Sequence, residues 1–228
     1  MPVRACVFDA YGTLFDVGAA ARRAAAEPGR EALADKLGQL AEIWRLKQLQ
    51  YSWLRAVADA HDDFWQVTQD GLDYALEALG LDEPELRERL LALYWELEAY
   101  PEVPAMLAEL NEAGQTAAIL SNGSPDMLRA AADSAGISGM LDAVISVEDV
   151  GVFKPHRTVY ELVERHLGVP PGEVLFVSSN CWDACAGDGF GFVSAWVNRR
   201  SEPCDRLPWR PTHTLDTLTA IPRIARGA

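Results

Sequence analysis

Short apolar runs separated by helical patterns occupy most of this chain. Five such runs are recognisable, over residues 3–9, 116–120, 143–147, 174–177 and 192–197. Runs of this length are typical of strands buried on both faces of a sheet. The segments between the later runs are read as helices, the first over residues 103–113. The alternation therefore predicts parallel βαβ units and an α/β fold.

One long segment interrupts the alternation. From about residue 18 to 100 the chain is helical in character and rich in Ala, Leu, Glu, Arg and Gln. Turns are predicted inside it at Pro28-Gly29, Leu79-Gly80 and Asp82-Glu83-Pro84. The segment lies between the first strand and the remaining ones, so it is read as an insertion.

The predicted architecture is a doubly wound, Rossmann-like parallel sheet with an inserted all-helical cap domain. Residues 1–16 and 97–228 form the predicted core, and residues 17–96 form the predicted cap. Ligands bind outside the carboxyl ends of the strands in open α/β sheets, so the cap is expected over that edge. After the last apolar run, we predict a surface loop over 201–210 and a final helix over about 215–226.

Composition and charge narrow the candidate partners. The chain has 228 residues, of which 49% are apolar, and its formal net charge is −14. An acidic surface repels phosphate backbones and anionic lipids, so nucleic acid and membranes are not expected as partners. The four cysteines form no CxxC pair, and they are read as reduced thiols and not as a metal site. With no apparent signal peptide or membrane-spanning run, we expect a cytoplasmic enzyme.

Polar side chains follow four of the predicted strands at the point where each strand ends. These residues are Asp9, Ser121, Asn122, Lys154, Ser178, Asn180 and Asp183. Side chains from neighbouring strand ends can meet in one crevice. Asp9 alone would suit an ordinary turn, but beside Lys154 and Thr13 it is a candidate nucleophile, because a desolvated ionised carboxylate can attack carbon.

Four ordered motifs resemble those of the haloacid dehalogenase superfamily. They are D-A-Y-G-T-L-F-D at 9–16, L-S-N-G at 120–123, Lys154-Pro155, and V-S-S-N-C-W-D at 177–183. Within the superfamily, W-R-L-K-Q-L-Q-Y-S-W-L-R at 44–55 resembles the cap signature of the L-2-haloacid dehalogenases, with Gln50 where that signature usually has Glu. The resemblance covers nearly the whole chain, and it implies the superfamily's α/β fold.

Magnesium-dependent phosphatases of the same superfamily are the main alternative. They carry a second Asp two residues after the nucleophile, where this chain has Tyr11, and an acidic pair of which only Asp183 remains. Mg²⁺ requires oxygen ligands, so their loss weakens such a site. No metal or other cofactor is therefore expected. A binding protein without turnover is also considered, but Asp9, Arg45 and Lys154 are all present.

The resemblance implies a reaction and a role for each site residue. Asp9 would displace halide from C2 of a small (S)-2-haloalkanoic acid, and water would hydrolyse the resulting ester to an (R)-2-hydroxy acid with inversion at C2. Arg45 and Asn122 would accept the halide ion. Ser121 and the backbone N–H groups of Ala10 and Tyr11 would bind the substrate carboxylate.

Other residues would support these steps. Thr13, Ser178 and Asn180 would orient Asp9 or the water, and Asp183 would pair with Lys154 and help to activate the water. Further substrate contacts are implied for Tyr160, near the carboxylate, and for an apolar pocket of Leu49, Phe64 and Trp182. The family is often homodimeric, so a homodimer is expected.

Overall fold

The computed structural model describes residues 3–27, 31–81 and 83–227. Its sheet has six parallel strands in the order β3-β2-β1-β4-β5-β6. The strands are β1 Ala5–Phe8, β2 Thr116–Ser121, β3 Ala143–Ser146, β4 Val174–Ser178, β5 Val193–Val197 and β6 His213–Leu215. The predicted doubly wound α/β fold is confirmed.

Helices fill the connections between the strands. The α-helices are α1 Val17–Ala25, α2 Glu31–Val57, α3 Phe64–Leu79, α4 Pro84–Tyr94, α5 Val103–Glu112, α6 Pro125–Ser134, α7 Arg157–Leu167, α8 Cys181–Phe190 and α9 Ile221–Ala225. Short 3-10 helices cover Ser138–Met140, Val147–Asp149, Pro171–Glu173 and Leu218–Ala220. Within the described part of the chain, no helix combines the length and hydrophobicity that a membrane crossing requires.

The core of the molecule surrounds β1, the strand that leads to Asp9. Every residue of β1 and β4 is buried, and Ala5 lies beside Thr116 of β2 and Val174 of β4. A central parallel strand has helices on both faces, so both sets of its side chains must be apolar. This packing fixes the end of β1, and with it the backbone of Asp9.

The helices α1 to α4 come between β1 and α5 along the chain. Two chain segments connect them to the sheet side by side, where Phe15 forms an isolated antiparallel bridge with Ala99. The N–H of Asp16 donates to Glu98 O at 2.9 Å, and that of Tyr100 donates to Leu14 O at 2.9 Å. The two passages are therefore tied together by backbone hydrogen bonds.

Two of the predicted turns fall at helix ends. Gly80 ends α3 in the left-handed conformation, with φ +62°, which costs glycine little because it lacks a Cβ. Pro84 begins α4, a position where its missing N–H leaves no hydrogen bond unmade. Pro28-Gly29 and Asp82 lie outside the described residues.

The prediction for the C-terminal region was wrong in one respect. Residues 215–226 were expected to form a helix, but Leu215 lies in β6, and the α-helix covers only Ile221–Ala225. The strand escaped notice because it has three residues, none fully buried, and pairs only with β5 at the sheet edge. The loop predicted over 201–210 contains no helix or strand.

Candidate active site

Four neighbouring strands, β3, β2, β1 and β4, bring polar residues to one edge of the sheet. Because β3, β2, β1 and β4 are neighbours, the residues that follow them meet above the end of β1. Asp9 follows β1, and its side chain is nearly buried. Thr13 lies in the turn after it, and Asn180 follows β4.

Three donors surround the carboxylate of Asp9. Lys154 Nζ lies 3.2 Å from Oδ1, Thr13 Oγ1 lies 3.0 Å from Oδ2, and Asn180 Nδ2 lies 3.1 Å from Oδ2. Both oxygens are therefore engaged, and the carboxylate is held in one orientation. An oriented carboxylate beside a cation is suited to nucleophilic attack.

Lys154 is buried between two carboxylates. Its Nζ lies 3.2 Å from Asp9 Oδ1 and 3.0 Å from Asp183 Oδ2, and the side chain is 1% exposed. Burial lowers the pKa of Lys154, but the charges of Asp183 and Asp9 raise it more, so the net pKa is raised. The ammonium therefore stays charged at neutral pH and compensates both carboxylates. The Lys154-Pro155 peptide bond is cis.

Asp183 lies behind Lys154, and both of its oxygens are occupied. Tyr160 Oη donates to Oδ1 at 2.7 Å, while Lys154 binds Oδ2. Burial raises the pKa of Asp183, and the adjacent Lys154 opposes that effect. Asp183 is fully buried and does not line the cavity beside Asp9, and its link to Asp9 runs through Lys154.

Tyr160 does not lie where its predicted substrate-binding role requires. Its hydroxyl is directed to Asp183, and its ring packs against Phe176, Phe190 and Phe192, away from the cavity above Asp9. Burial raises the pKa of Tyr160 well above its usual value. Tyr160, on α7, therefore packs as a core aromatic against β4 and α8.

Arg45 reaches the strand ends from α2. Its Nη2 donates to Asn180 Oδ1 at 2.6 Å, so the Asn180 amide joins Arg45 on one side to Asp9 on the other. Gly12, with φ +83°, allows this approach, since a Cβ there would lie 3.1 Å from Arg45 Nη1 and 3.2 Å from Ser179 Oγ. The position of the Arg45 guanidinium thus depends on the hydrogen bond to Asn180 and on the absence of a side chain at Gly12.

Ser121 and Asn122 present donors at the end of β2. Asn122 Oδ1 accepts from the Lys154 backbone N–H at 2.9 Å, which leaves the amide NH₂ as its donor. Ser121 Oγ accepts from the Gly123 backbone N–H at 3.1 Å, so its hydroxyl hydrogen is available to another acceptor. Both residues line the cavity, and both can bind an anion there.

A cavity of about 50 Å³ lies beside Asp9, and residues of the helices α2, α3 and α4 contribute to its lining. Ten of the predicted residues line it: Asp9, Tyr11, Arg45, Leu49, Phe64, Ser121, Asn122, Lys154, Asn180 and Trp182. Tyr11 stacks on Phe64 with ring centroids 5.8 Å apart. The lining therefore combines polar and cationic groups with aromatic and aliphatic side chains.

Four predicted residues besides Tyr160 lie outside the cavity lining. Ala10, Thr13 and Ser178 are fully buried around the Asp9 turn, as Asp183 is. Ser178 was expected to orient Asp9 or water, but its Oγ accepts from the Asn180 backbone N–H at 3.1 Å. The hydroxyl that meets Thr13 is that of Ser179, at 3.1 Å, and the Ser179 N–H donates to Thr13 Oγ1 at 2.8 Å. Ser178 therefore shapes the turn that presents Asn180.

Sequence reasoning missed several residues at this site. Val17, Gln48 and Tyr94 line the cavity. Gln48 follows Arg45 by three residues on α2 and so shares its helix face, a signal that was present. Its amide donates to Thr68 Oγ1 at 3.0 Å and to Tyr94 Oη at 3.1 Å. Tyr94 arrives from α4 and carried no signal in the sequence.

Two cavity residues have buried donors without a hydrogen-bond partner among the described residues. They are the hydroxyl of Tyr11 and the indole N–H of Trp182. Burial raises the pKa of Tyr11 well above its usual value, and it raises that of Tyr94 to about 12, so both phenols are neutral donors. An unpaired buried donor costs free energy, which an anionic ligand would recover.

A family model and solved structures place this arrangement among known proteins. The haloacid dehalogenase-like hydrolase model matches residues 3–191. The chain is 42% identical to (S)-2-haloacid dehalogenase 1 of Pseudomonas sp. (strain CBS-3), over 98% of this chain and 96% of that protein. It is 49% identical to the (S)-2-haloacid dehalogenase of Xanthobacter autotrophicus, over 88% of this chain and 77% of that protein. The L-2-haloacid dehalogenase structure from Xanthobacter autotrophicus with chloropropionic acid covalently bound superposes with a TM-score of 0.87, at 40% identity and 99% coverage of both chains.

Proposed function

Because the chain belongs to the haloacid dehalogenase-like hydrolases, we propose that it converts small (S)-2-haloalkanoic acids to (R)-2-hydroxy acids. The (S)-2-haloacid dehalogenases that match it over nearly its full length support this substrate class. The observation that carries the mechanism is the position of Lys154 between Asp9 and Asp183. Tyr11, which lines the cavity beside Asp9, stands where a magnesium-dependent phosphatase carries a second Asp. The loss of that oxygen ligand favours a metal-independent reaction over phosphoryl transfer.

In the first step, a carboxylate oxygen of Asp9 attacks C2 of the substrate from the face opposite the halogen. The C–O bond forms as the carbon–halogen bond breaks, and the halide leaves with the bonding electron pair. Configuration at C2 inverts. Negative charge moves from Asp9 to the halide, so donors placed around the leaving atom stabilise the transition state.

Arg45 and Asn122 are the proposed halide donors. A guanidinium is always charged and more weakly hydrated than an ammonium, so it binds a developing halide at modest desolvation cost. The Asn180 amide holds Arg45 in place at 2.6 Å. Ser121 and the N–H groups of Ala10 and Tyr11 remain the proposed carboxylate donors, and the unpaired Tyr11 hydroxyl is a further candidate.

In the second step, water attacks the carbonyl carbon of the Asp9 ester. The bond between the Asp9 carbonyl carbon and the substrate oxygen cleaves, and the water oxygen stays in the carboxylate of Asp9. One water proton passes to the leaving oxygen of the hydroxy acid, and the other passes to solvent. Thr13 and Asn180 hold Asp9 during this step. Asp183 has no free oxygen facing the cavity, so it is proposed to act by fixing Lys154 and not as the direct base.

The size of the cavity supports a small substrate. A volume of about 50 Å³ corresponds to roughly two water molecules at the density of the liquid. This favours acids of two or three carbons. A wider cleft of about 310 Å³ shares Arg45 with the cavity and is also lined by Arg22, Arg199 and Arg200. We propose that the anionic substrate enters through this cleft despite the acidic surface as a whole.

Halide release from L-2-chloropropionate in excess EDTA, with Asp9→Asn as the control, tests this function. A single turnover in ¹⁸O-labelled water sharpens the test. The ester mechanism transfers an Asp9 oxygen to the product, so the first product molecule is unlabelled and the label enters Asp9. Label in that first product, or no halide release, contradicts the proposal.

Domain boundaries and assembly are part of the proposal. The paired passages at Phe15 and Ala99 support a cap over residues 17–96 and a core over 1–16 and 97–228. Exposed Leu46, Leu54 and Val57 on α2 support a homodimer formed through the cap. A Leu54→Glu variant should sediment as a monomer if that face is the interface. The four unpaired cysteines support a cytoplasmic location.

A further inference from the structure

Three cysteines converge on the side of α8 away from Lys154. Cys181 and Cys185 lie one helical turn apart at the start of α8, and Cys204 comes from the loop between β5 and β6. The sulfur of Cys181 lies 4.0 Å from that of Cys185 and 3.3 Å from that of Cys204. All three sulfur atoms lie within 4.8 Å of one another. The sequence alone gave no reason to group Cys204 with the other two.

The spacing of the sulfur atoms suits a metal ion. Thiolates bind Zn²⁺ at about 2.3 Å in a tetrahedral arrangement, which sets the sulfur atoms about 3.8 Å apart. The observed separations of 3.3 and 4.0 Å bracket that value. Small side-chain rotations would therefore bring all three sulfur atoms to bonding distance of one ion. Trp196 and Ala184 pack against the same cysteines, so the protein side of the cluster is apolar.

Two N–H donors reach the sulfur atoms from the loop that carries Cys204. The Asp205 backbone N–H donates to Cys181 Sγ at 3.2 Å, and Arg210 Nη1 donates to Cys204 Sγ at 3.1 Å. Hydrogen bonds to ligand sulfur are a common support of metal–thiolate sites. The charges also balance, because three thiolates, one divalent cation and the Arg210 guanidinium sum to zero.

We propose that Cys181, Cys185 and Cys204 form a binding site for a soft divalent cation of the Zn²⁺ and Cd²⁺ class. Thiolate ligands select such ions over Mg²⁺ and Ca²⁺. Cys204 is only partly buried, so solvent supplies the fourth ligand. The site is separate from the dehalogenation chemistry, although Cys181 is flanked by Asn180 and Trp182, which line the catalytic cavity. The bound ion ties the 201–210 loop to the first turn of α8.

Titration of the whole protein with Cd²⁺ tests the site, with a phosphine reductant present to keep the thiols reduced. We expect one Cd²⁺ per chain, a thiolate-to-cadmium charge-transfer absorption in the ultraviolet, a raised Tm, and displacement by Zn²⁺. Cys204→Ser removes a sulfur ligand and should weaken Cd²⁺ binding by at least about 100-fold. Arg210→Gln removes only a hydrogen bond to that sulfur and should weaken Cd²⁺ binding by about tenfold. Cys204 is partly exposed, so its replacement should leave the fold and halide release intact.

The fourth cysteine provides the matched control. Cys6 lies fully buried in β1 and belongs to the main core and not to the group that contains Cys181 and Cys185, so Cys6→Ala should bind Cd²⁺ as the wild type does. Binding without charge-transfer absorption overturns the proposal. So does equal affinity in the wild type and Cys204→Ser, or a loss of binding confined to Cys6→Ala. The readouts do not involve activity, so they stand apart from the proposed dehalogenation.

Discussion

Replacing Lys154 by Met removes the only cation that contacts both Asp9 and Asp183 in the described structure. Met keeps an unbranched side chain of similar length, so the change is mainly one of charge. At an effective dielectric constant of about 20, each of the two contacts contributes roughly 5 kcal/mol of Coulomb attraction before desolvation is subtracted. Without Lys154, two carboxylates would face each other with little access to water.

Proton uptake limits the cost of this change. The folded variant can bind one proton on the pair, and protonating an aspartate of ordinary pKa, about 3.9, costs about 1.4 kcal/mol for each pH unit above that value. The expected loss in free energy of unfolding is therefore about 4 kcal/mol at pH 7 and about 1.5 kcal/mol at pH 5. In the folded variant, the pKa of the Asp9–Asp183 pair is raised above its value in the unfolded chain. The free energy of unfolding is therefore highest at low pH and falls as pH rises.

Urea unfolding followed by circular dichroism at pH 5 and pH 7 measures both values. The double variant Lys154→Met/Asp183→Asn removes one carboxylate, keeps an oxygen acceptor for Tyr160, and should recover most of the loss at pH 7. A loss below about 1 kcal/mol, typical of an exposed ion pair, would refute the reasoning. A loss that is equal at both pH values would also refute it, because proton uptake would then play no part.

Tyrosine ionisation, halide binding, cavity size and substrate entry can each be tested with one variant. Buried Tyr11, Tyr94 and Tyr160 have raised pKa values, so the free energy of unfolding should fall as pH rises above 10, by about 1.4 kcal/mol per pH unit for each tyrosine. In urea unfolding from pH 9 to 11, Tyr160→Phe should reduce the slope of this free energy against pH by the contribution of one tyrosine. An unchanged slope contradicts the assignment. Arg45→Lys should lower kcat for L-2-chloropropionate about 100-fold, because an ammonium lacks the planar fork that binds Asn180 while facing the halide; near-normal turnover excludes Arg45 as halide donor. Leu49→Ala should raise kcat/KM for 2-chlorobutyrate relative to 2-chloropropionate by enlarging the cavity, and unchanged selectivity means that Leu49 does not limit chain length. Arg200→Glu should lower kcat/KM by up to about tenfold with kcat retained, and the effect should shrink in high salt; salt independence argues against entry through the arginine-lined cleft.

The strand ends were predictable because topology alone places them. Once the apolar runs are read as parallel strands, Asp9, Asn122 and Lys154 must lie at the same edge. Residues brought by tertiary packing were not predictable. Tyr94 reaches the cavity through the angle at which α4 packs, and the direction of the Tyr160 hydroxyl depends on where Asp183 sits below it. The sulfur cluster depends on the path of a loop that has no periodicity to read.

The sheet order also has a consequence for how the protein is made. The strand β1 leaves the ribosome first, yet its partners β2 and β4 begin only at Thr116 and Val174. The cap helices can form local contacts as soon as they are synthesised. The apolar strand β1, by contrast, has both edges unpaired until β2 and β4 have been synthesised. Until then the nascent chain presents a template for aggregation, and Asp9 cannot meet Lys154 or Asn180. Yield from expression should therefore be more sensitive to substitutions that slow the pairing of β4 than to substitutions in the cap.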